Sequence, residues 1–124
     1  SADGRFIVGS GGANDLGNGA ANCLVVMPLK EGRYVEDLPF TTTTIRRHAG
    51  VATDVGLLQR GADGRLMVTG VFARAGTESI ALEQIAQRCG REIPAAAAVR
   101  RFDLPTAHEL ALLRSFDPQR AILA

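Results

Sequence analysis

Gly9-Ser10-Gly11-Gly12-Ala13-Asn14-Asp15-Leu16 follows directly on the apolar run Phe6-Ile7-Val8. The pattern reads as a buried strand over residues 5–9, a glycine-rich turn, and a short helix over residues 13–21 weakened by Gly17 and Gly19. Such a junction presents backbone N–H groups at the C-terminal end of a strand, where open α/β sheets bind their ligands. Glycine there lets another backbone or a ligand approach closely. The loop departs from the dinucleotide fingerprint, because Asn14 stands where that pattern has its third glycine, and it has no Gly-Lys-Ser/Thr as a P-loop requires. Binding by it would use backbone groups and Asn14 or Asp15; the alternative is a tight turn that only packs strand on helix.

Downstream, Cys23-Leu24-Val25-Val26-Met27 is a continuous apolar run closed by Pro28, the pattern of a strand buried on both faces. With the first strand, loop and helix it makes a compact β-α-β unit. Lys30-Glu31-Gly32-Arg33 is a turn, Tyr34-Val35 starts a short strand, and Thr41-Thr42-Thr43-Thr44 is an extended edge or loop. Val51 to Leu58 reads as one strand with Asp54 inside it. Gly61-Ala62-Asp63-Gly64 is a hairpin turn into a strand from Arg65 to Phe72, with Leu66 and Val68 on one face and Met67, Thr69 and Val71 on the other. Thr77-Glu78 starts a helix whose apolar stripe is Leu82, Ile85, Ala86 and Cys89, ended by Gly90. Ala95-Ala96-Ala97-Ala98 reads as a connector. Thr106 and Glu109 form a capping box for a last helix with the stripe Leu110, Leu113 and Phe116, stopped by Pro118.

Composition sets the bounds. The 124 residues fit one domain, 1–124, able to bury roughly two thirds of the unfolded surface. A net charge of +1 gives no field that selects nucleic acid or an anionic membrane. With no Trp and one Tyr there is no base-stacking platform. No apolar run reaches the roughly 18 residues needed to span a bilayer, and no signal peptide is evident. Cys23 and Cys89 read as two buried thiols in a reducing cytoplasm, with a single disulfide as the alternative. Two distant Cys and two distant His do not make a zinc site. The start at Ser1, so close to the first strand, points to a functional unit larger than the chain. Arg46-Arg47-His48 reads as a solvated run or as a contact for phosphates, which suit arginine geometry. His108 is expected to be exposed.

The order of these pieces resembles the family I coenzyme A transferases, which include glutaconate CoA-transferase and succinyl-CoA:3-ketoacid CoA-transferase. Gly11-Gly12-Ala13-Asn14-Asp15-Leu16 is similar to that family's Gly-Gly-Ala-x-Asp-Leu/Ile loop. Val51-Ala52-Thr53-Asp54-Val55-Gly56-Leu57-Leu58 is similar to its Val-x-Thr-Asp-Leu-Gly-Val-Phe stretch, and Tyr34-Val35-Glu36 to its Val-Glu-Lys segment. Two departures are Gly17-Asn18-Gly19-Ala20 in place of a Ser-Ser-Ala step and Thr42-Thr43-Thr44-Ile45 in place of a Thr-Ser-Pro-Gly turn.

The resemblance covers nearly the whole chain. It implies an open, mostly parallel α/β sheet with flanking helices, as the C-terminal part of a β-type half. It implies an activity that moves CoA between an acyl-CoA and a carboxylic acid through a glutamyl-CoA thioester. The nucleophilic glutamate would lie upstream, outside this chain, and none of Glu31, Glu36, Glu78, Glu83, Glu92 or Glu109 sits in a matching context. The isolated chain is accordingly expected to be inert. Gly11, Gly12, Ala13, Asn14 and Asp15 would form a wall of the CoA site. Coenzyme A is a substrate, with no metal or redox cofactor required. The partners implied are the remaining half or an α-type subunit, in a cytoplasmic oligomer. Alternatives are a non-catalytic CoA-ester-binding or scaffold subunit, which Gly17-Asn18-Gly19 favours, and a sugar-phosphate sensor or isomerase on the same fold.

Overall fold

The computed structural model describes residues 5–45 and 47–120. Arg46, which the sequence reading included, lies outside them. In chain order the elements are α1 (Gly12–Gly19), β1 (Cys23–Val26), β2 (His48–Ala52), β3 (Gly56–Arg60), β4 (Leu66–Phe72), α2 (Glu78–Arg88), β5 (Ala95–Phe102) and α3 (Ala107–Phe116). The strands form one mixed sheet in the order β1-β2-β3-β4-β5. β1 with β2, and β4 with β5, are parallel; β3 is antiparallel to both its neighbours. Four strands therefore run one way, and the sheet is mostly parallel as expected, with one reversed strand at its centre.

The reversal comes from Thr53. Its hydroxyl accepts from the backbone N–H of Val55 (3.1 Å) and Gly56 (2.8 Å) and donates to the Gly56 carbonyl (2.8 Å). A side chain that satisfies the backbone locally competes with strand continuation. The run Val51–Leu58 is thus a tight hairpin rather than one strand, with Val51 opposite Leu58. Gly56 is required by close packing: a Cβ there would collide with the Gly70 carbonyl and lie 3.3 Å from Ile85 Cδ1.

β4 corrects a second expectation. Leu58 pairs with Val68 and Leu57 with Gly70, so Thr69 is an extra residue, a β-bulge. The bulge switches the alternation and puts both Val68 and Val71 into the core, where simple alternation separates them. The expected Asp-Gly hairpin is present: Gly64 has φ 78° and Arg65 N–H donates to Asp63 Oδ1 at 3.0 Å. The four alanines after Pro94 are no connector but the start of β5. Ala95 pairs with Val68, whose N–H donates to the Pro94 carbonyl at 2.8 Å, and the ladder resumes at Gly70 opposite Arg100, so the other alanines span an irregularity in the pairing. The Phe102 ring occupies the space above Gly70.

The core lies between the sheet and α2, around Leu29, Val51, Leu58, Val68, Val71 and Ile85. Ala81 and Ile85 are the buried residues of α2, with Leu82 and Cys89 half-buried and Ala86 exposed, which shifts the expected stripe. Thr77 sits at the N-cap, but its hydroxyl donates back to the Arg74 carbonyl (2.9 Å). Gly90 follows the helix because Tyr34 lies against it: its N–H donates to the Tyr34 carbonyl at 2.8 Å, and a Cβ would meet that oxygen. The strand expected at Tyr34-Val35 is reduced to an isolated bridge between Val35 and Gly90.

The other face and both ends of the chain differ from expectation. Residues 5–9 form no strand, and Phe6, Ile7 and Val8 are more than half exposed. They lie outside the five-stranded sheet, of which β1 is the edge. β1 itself is buried on one side only, Leu24 being 54% and Val26 79% exposed. On α3 the capping box is complete, yet no residue of the helix is buried and Phe116 is 80% exposed. Cys23 and Cys89 are free thiols, half-buried rather than buried.

Candidate functional site

The glycine loop is shaped by backbone geometry alone. Gly11 takes φ 52° and ψ −140°, a conformation that disfavours any side chain, and it serves as N-cap of α1. Ala13 N–H donates to the Ser10 carbonyl (3.2 Å) and Asn14 N–H to the Gly11 carbonyl (3.4 Å), so the turn closes on itself. No side chain caps this helix. Gly11, Gly12, Ala13, Asn14 and Asp15 are all exposed, and Asp15 places a carboxylate in the first turn. Asn14 does not face the loop mouth: its Oδ1 and carbonyl both accept from Asn18 Nδ2, at 2.9 and 2.8 Å. The helix is seated by Gly17, which is buried with Ile45 Cγ1 3.0 Å from where a Cβ would be. The glycine-rich departure at 17–19 therefore has a packing reason at Gly17.

Beside the segment that leads into this loop lies an apolar groove of about 350 Å³, walled by Phe6, Ile7 and Val8 on one side and Val35, Leu38 and Phe40 on the other.

The Thr-Asp pair lies in the β2–β3 turn and acts as a latch. Asp54 Oδ1 accepts from the Leu29 N–H at 2.6 Å, and Asp54 Oδ2 meets Arg88 Nη2 at 3.0 Å. Partial burial pushes the Asp54 carboxyl up, but the Leu29 N–H, its own backbone N–H and Arg88 together outweigh this and hold it below the usual carboxylate value. Tyr34 completes the arrangement by donating from its hydroxyl to the Met27 carbonyl at 2.9 Å. Burial, then the neighbouring Cys89 and Asp54, raise the Tyr34 phenol. The carboxylate thus ties the end of β1, the central hairpin and the end of α2 together.

A third feature was only partly legible. Arg47 is exposed, as a solvated run requires. His48, the first residue of β2, is half-buried, and its Nδ1 is buried without a hydrogen-bond partner. Burial and then the Arg60 guanidinium hold the imidazole pKa down. His48 borders a cavity of about 510 Å³ together with Tyr34, Arg60, Arg65 and Arg91. Those arginines come from three separate segments, so no linear motif announces them. His108 is exposed on α3, as expected.

Several glutamates are occupied structurally: Glu109 in the capping box, Glu78 against Arg101 (3.4 Å), Glu36 against Arg91 (3.8 Å) and Glu83 with Gln87 (3.0 Å). Among the described residues no helix is long and apolar enough to cross a membrane.

No family model and no curated protein matches this chain by sequence. Its fold, however, is that of solved coenzyme A-transferase-like structures. Glutaconate coenzyme A-transferase from Acidaminococcus fermentans superposes with a TM-score of 0.75 over 98% of this chain and 51% of that chain, at 19% identity. A cysteine-to-valine variant of the decarboxylase AibA/AibB gives 0.72 over 94% and 48%, at 25% identity. Its cysteine-to-alanine counterpart gives 0.68 over 89% and 45%, also at 25%. The chain spans about half the length of the solved structures it matches.

Proposed function

We propose that this chain is the C-terminal part of the β-type half of an enzyme that moves coenzyme A between an acyl-CoA and a carboxylic acid. The observation that carries the reading is the uncapped, exposed N-terminus of α1 behind a Gly11 that only glycine suits, on a fold that glutaconate coenzyme A-transferase shares over 98% of the chain. In this reading a glutamate carboxylate from outside the chain attacks the thioester carbonyl. The CoA thiolate leaves, then returns to the activated glutamyl carbonyl and releases the first acid, which gives the enzyme thioester. Gly11, Gly12, Ala13, Asn14 and Asp15 form a wall of the CoA site, where backbone N–H groups hydrogen-bond the pantetheine amides or hold the catalytic loop. The apolar groove along Phe6–Val8 suits the aliphatic part of such a ligand. The 124 residues act as one domain, and activity requires the remaining half or an α-type subunit in an oligomer.

The test is kinetic. Full-length protein assembled with its partner should exchange CoA between an acyl-CoA and an acid with a ping-pong pattern, and Gly11→Val should remove most of that exchange. Absence of exchange with every acyl-CoA and acid pair tried rejects the reading. A second reading is favoured by the 25% identity to AibA/AibB, which is described as a decarboxylase. Release of CO2 from an acid thioester without CoA exchange would select it.

A further inference from the structure

We propose that the cavity bounded by His48, Arg60, Arg65 and Arg91 binds a phosphate group carrying two negative charges. The four side chains converge from separate elements: His48 from the start of β2, Arg60 from the end of β3, Arg65 from just after the hairpin turn, and Arg91 from the segment after α2. Val25 and Val51 add apolar lining to the same cavity. The three arginines are exposed, and their like charges around one concavity repel one another, a cost that a bound anion offsets. Among the described residues neither Arg60 nor Arg65 has an acidic partner within ion-pair distance, and Arg91 has only Glu36, at 3.8 Å. Arg60 is fixed in place because its Nη1 donates to the Gly64 carbonyl at 2.6 Å, leaving its other donors for a ligand.

His48 supplies the second, independent observation. It is half-buried and borders the same cavity, so an anion held there lies beside its imidazole. The groups around it are the cations Arg60 from β3, Arg65 from just after the turn and Arg91 from the segment after α2, the Tyr34 phenol, and the Glu36 carboxylate beside Arg91. An entering dianion cancels that positive field, so the anion and a proton on His48 stabilise each other. Three arginines and a histidine exceed what a monocarboxylate needs and match the oxygens of a phosphate. The site uses none of the glycine-loop residues and does not depend on transfer chemistry. The phosphate could be free or belong to coenzyme A, so the test separates these sources.

The experiment is an NMR titration of the two imidazoles of the 124-residue chain, His48 and His108, assigned with His48→Gln. On adding inorganic phosphate the His48 titration midpoint should rise by about one pH unit, while His108 stays fixed. Arg65→Gln, on an exposed turn, should weaken the response about tenfold with unchanged circular dichroism. An unmoved His48, an equal movement of both histidines, or an equal response to acetate overturns the proposal. With CoA and dephospho-CoA as further probes, tighter binding of CoA assigns the site to its 3′-phosphate. A phosphate response with neither form bound assigns it to free phosphate.

Discussion

Removing the Asp54 carboxylate distinguishes a latch from a catalytic group. Leu29 is fully buried, and its N–H donates to Asp54 Oδ1 at 2.6 Å. Asp54→Ala leaves that donor without an acceptor, at a cost of about 1–3 kcal/mol. The ion pair with Arg88 is partly exposed on both sides, 42% and 43%, and adds only about 0–1 kcal/mol. Asp54→Ala should therefore lose about 2–3 kcal/mol, Arg88→Ala less than about 1, and Asp54→Asn, which keeps an acceptor, about 1. Urea unfolding followed by circular dichroism reads these as shifts in midpoint at constant slope. The native carboxyl titrates lower than in the unfolded chain, so its contribution is complete above the unfolded value. That contribution is lost as pH falls through the native one, and Asp54→Asn should abolish this acid-side slope. An Asp54→Ala protein as stable as the parent, or an Arg88→Ala protein that loses as much, refutes the assignment of the main term to the Leu29 N–H.

Leu58→Ala, at a fully buried core position, should cost about 2–5 kcal/mol in the same unfolding assay. Thr106→Ala removes the capping box and should destabilise α3 by about 1 kcal/mol. Hydrogen exchange should speed up in α3 amides while the global unfolding midpoint stays put, because no residue of that helix is fully buried. Gly17→Val should force α1 off Ile45, detected as faster exchange in α1 and at Ile45 with the sheet unaffected.

The sheet could be read from the sequence where side-chain pattern and turn chemistry agreed. Cys23–Val26, the Asp63-Gly64 hairpin, α2 and the Thr106–Glu109 cap all fall where their residues place them. The failures have separate causes. Hydrophobicity alone joins Val51 to Leu58, whereas the Thr53 hydroxyl, accepting two hydrogen bonds and donating one, holds the chain in its reversal there. The bulge at Thr69 has no signature in composition, so Val71 was assigned to the wrong face. Alanines 95–98 lie in a strand anchored on β4 at Ala95 and again from Arg100, long-range pairing that local propensity does not contain. Phe6–Val8 has the composition of a strand but lies outside the sheet, lining the apolar groove. For the candidate site, the glycine loop was visible as a linear motif. The basic cavity was not, since its arginines at 60, 65 and 91 meet only once the hairpin and the end of α2 are folded.

The order of strands across the sheet is also their order along the chain. That identity bears on how the molecule forms. β2, β3 and β4 are linked by two short turns, so their pairing closes small loops and can nucleate early, whereas β1 and β5 each require a longer crossover to find a parallel partner. The central meander should be built first and the two edges added last. Conservative truncations at Leu58 and Val68 should then slow folding, while one at Val99 in β5 should mainly hasten unfolding. Growth from the middle leaves β1, with Leu24 and Val26 still facing outward, as the part of the sheet that is completed last.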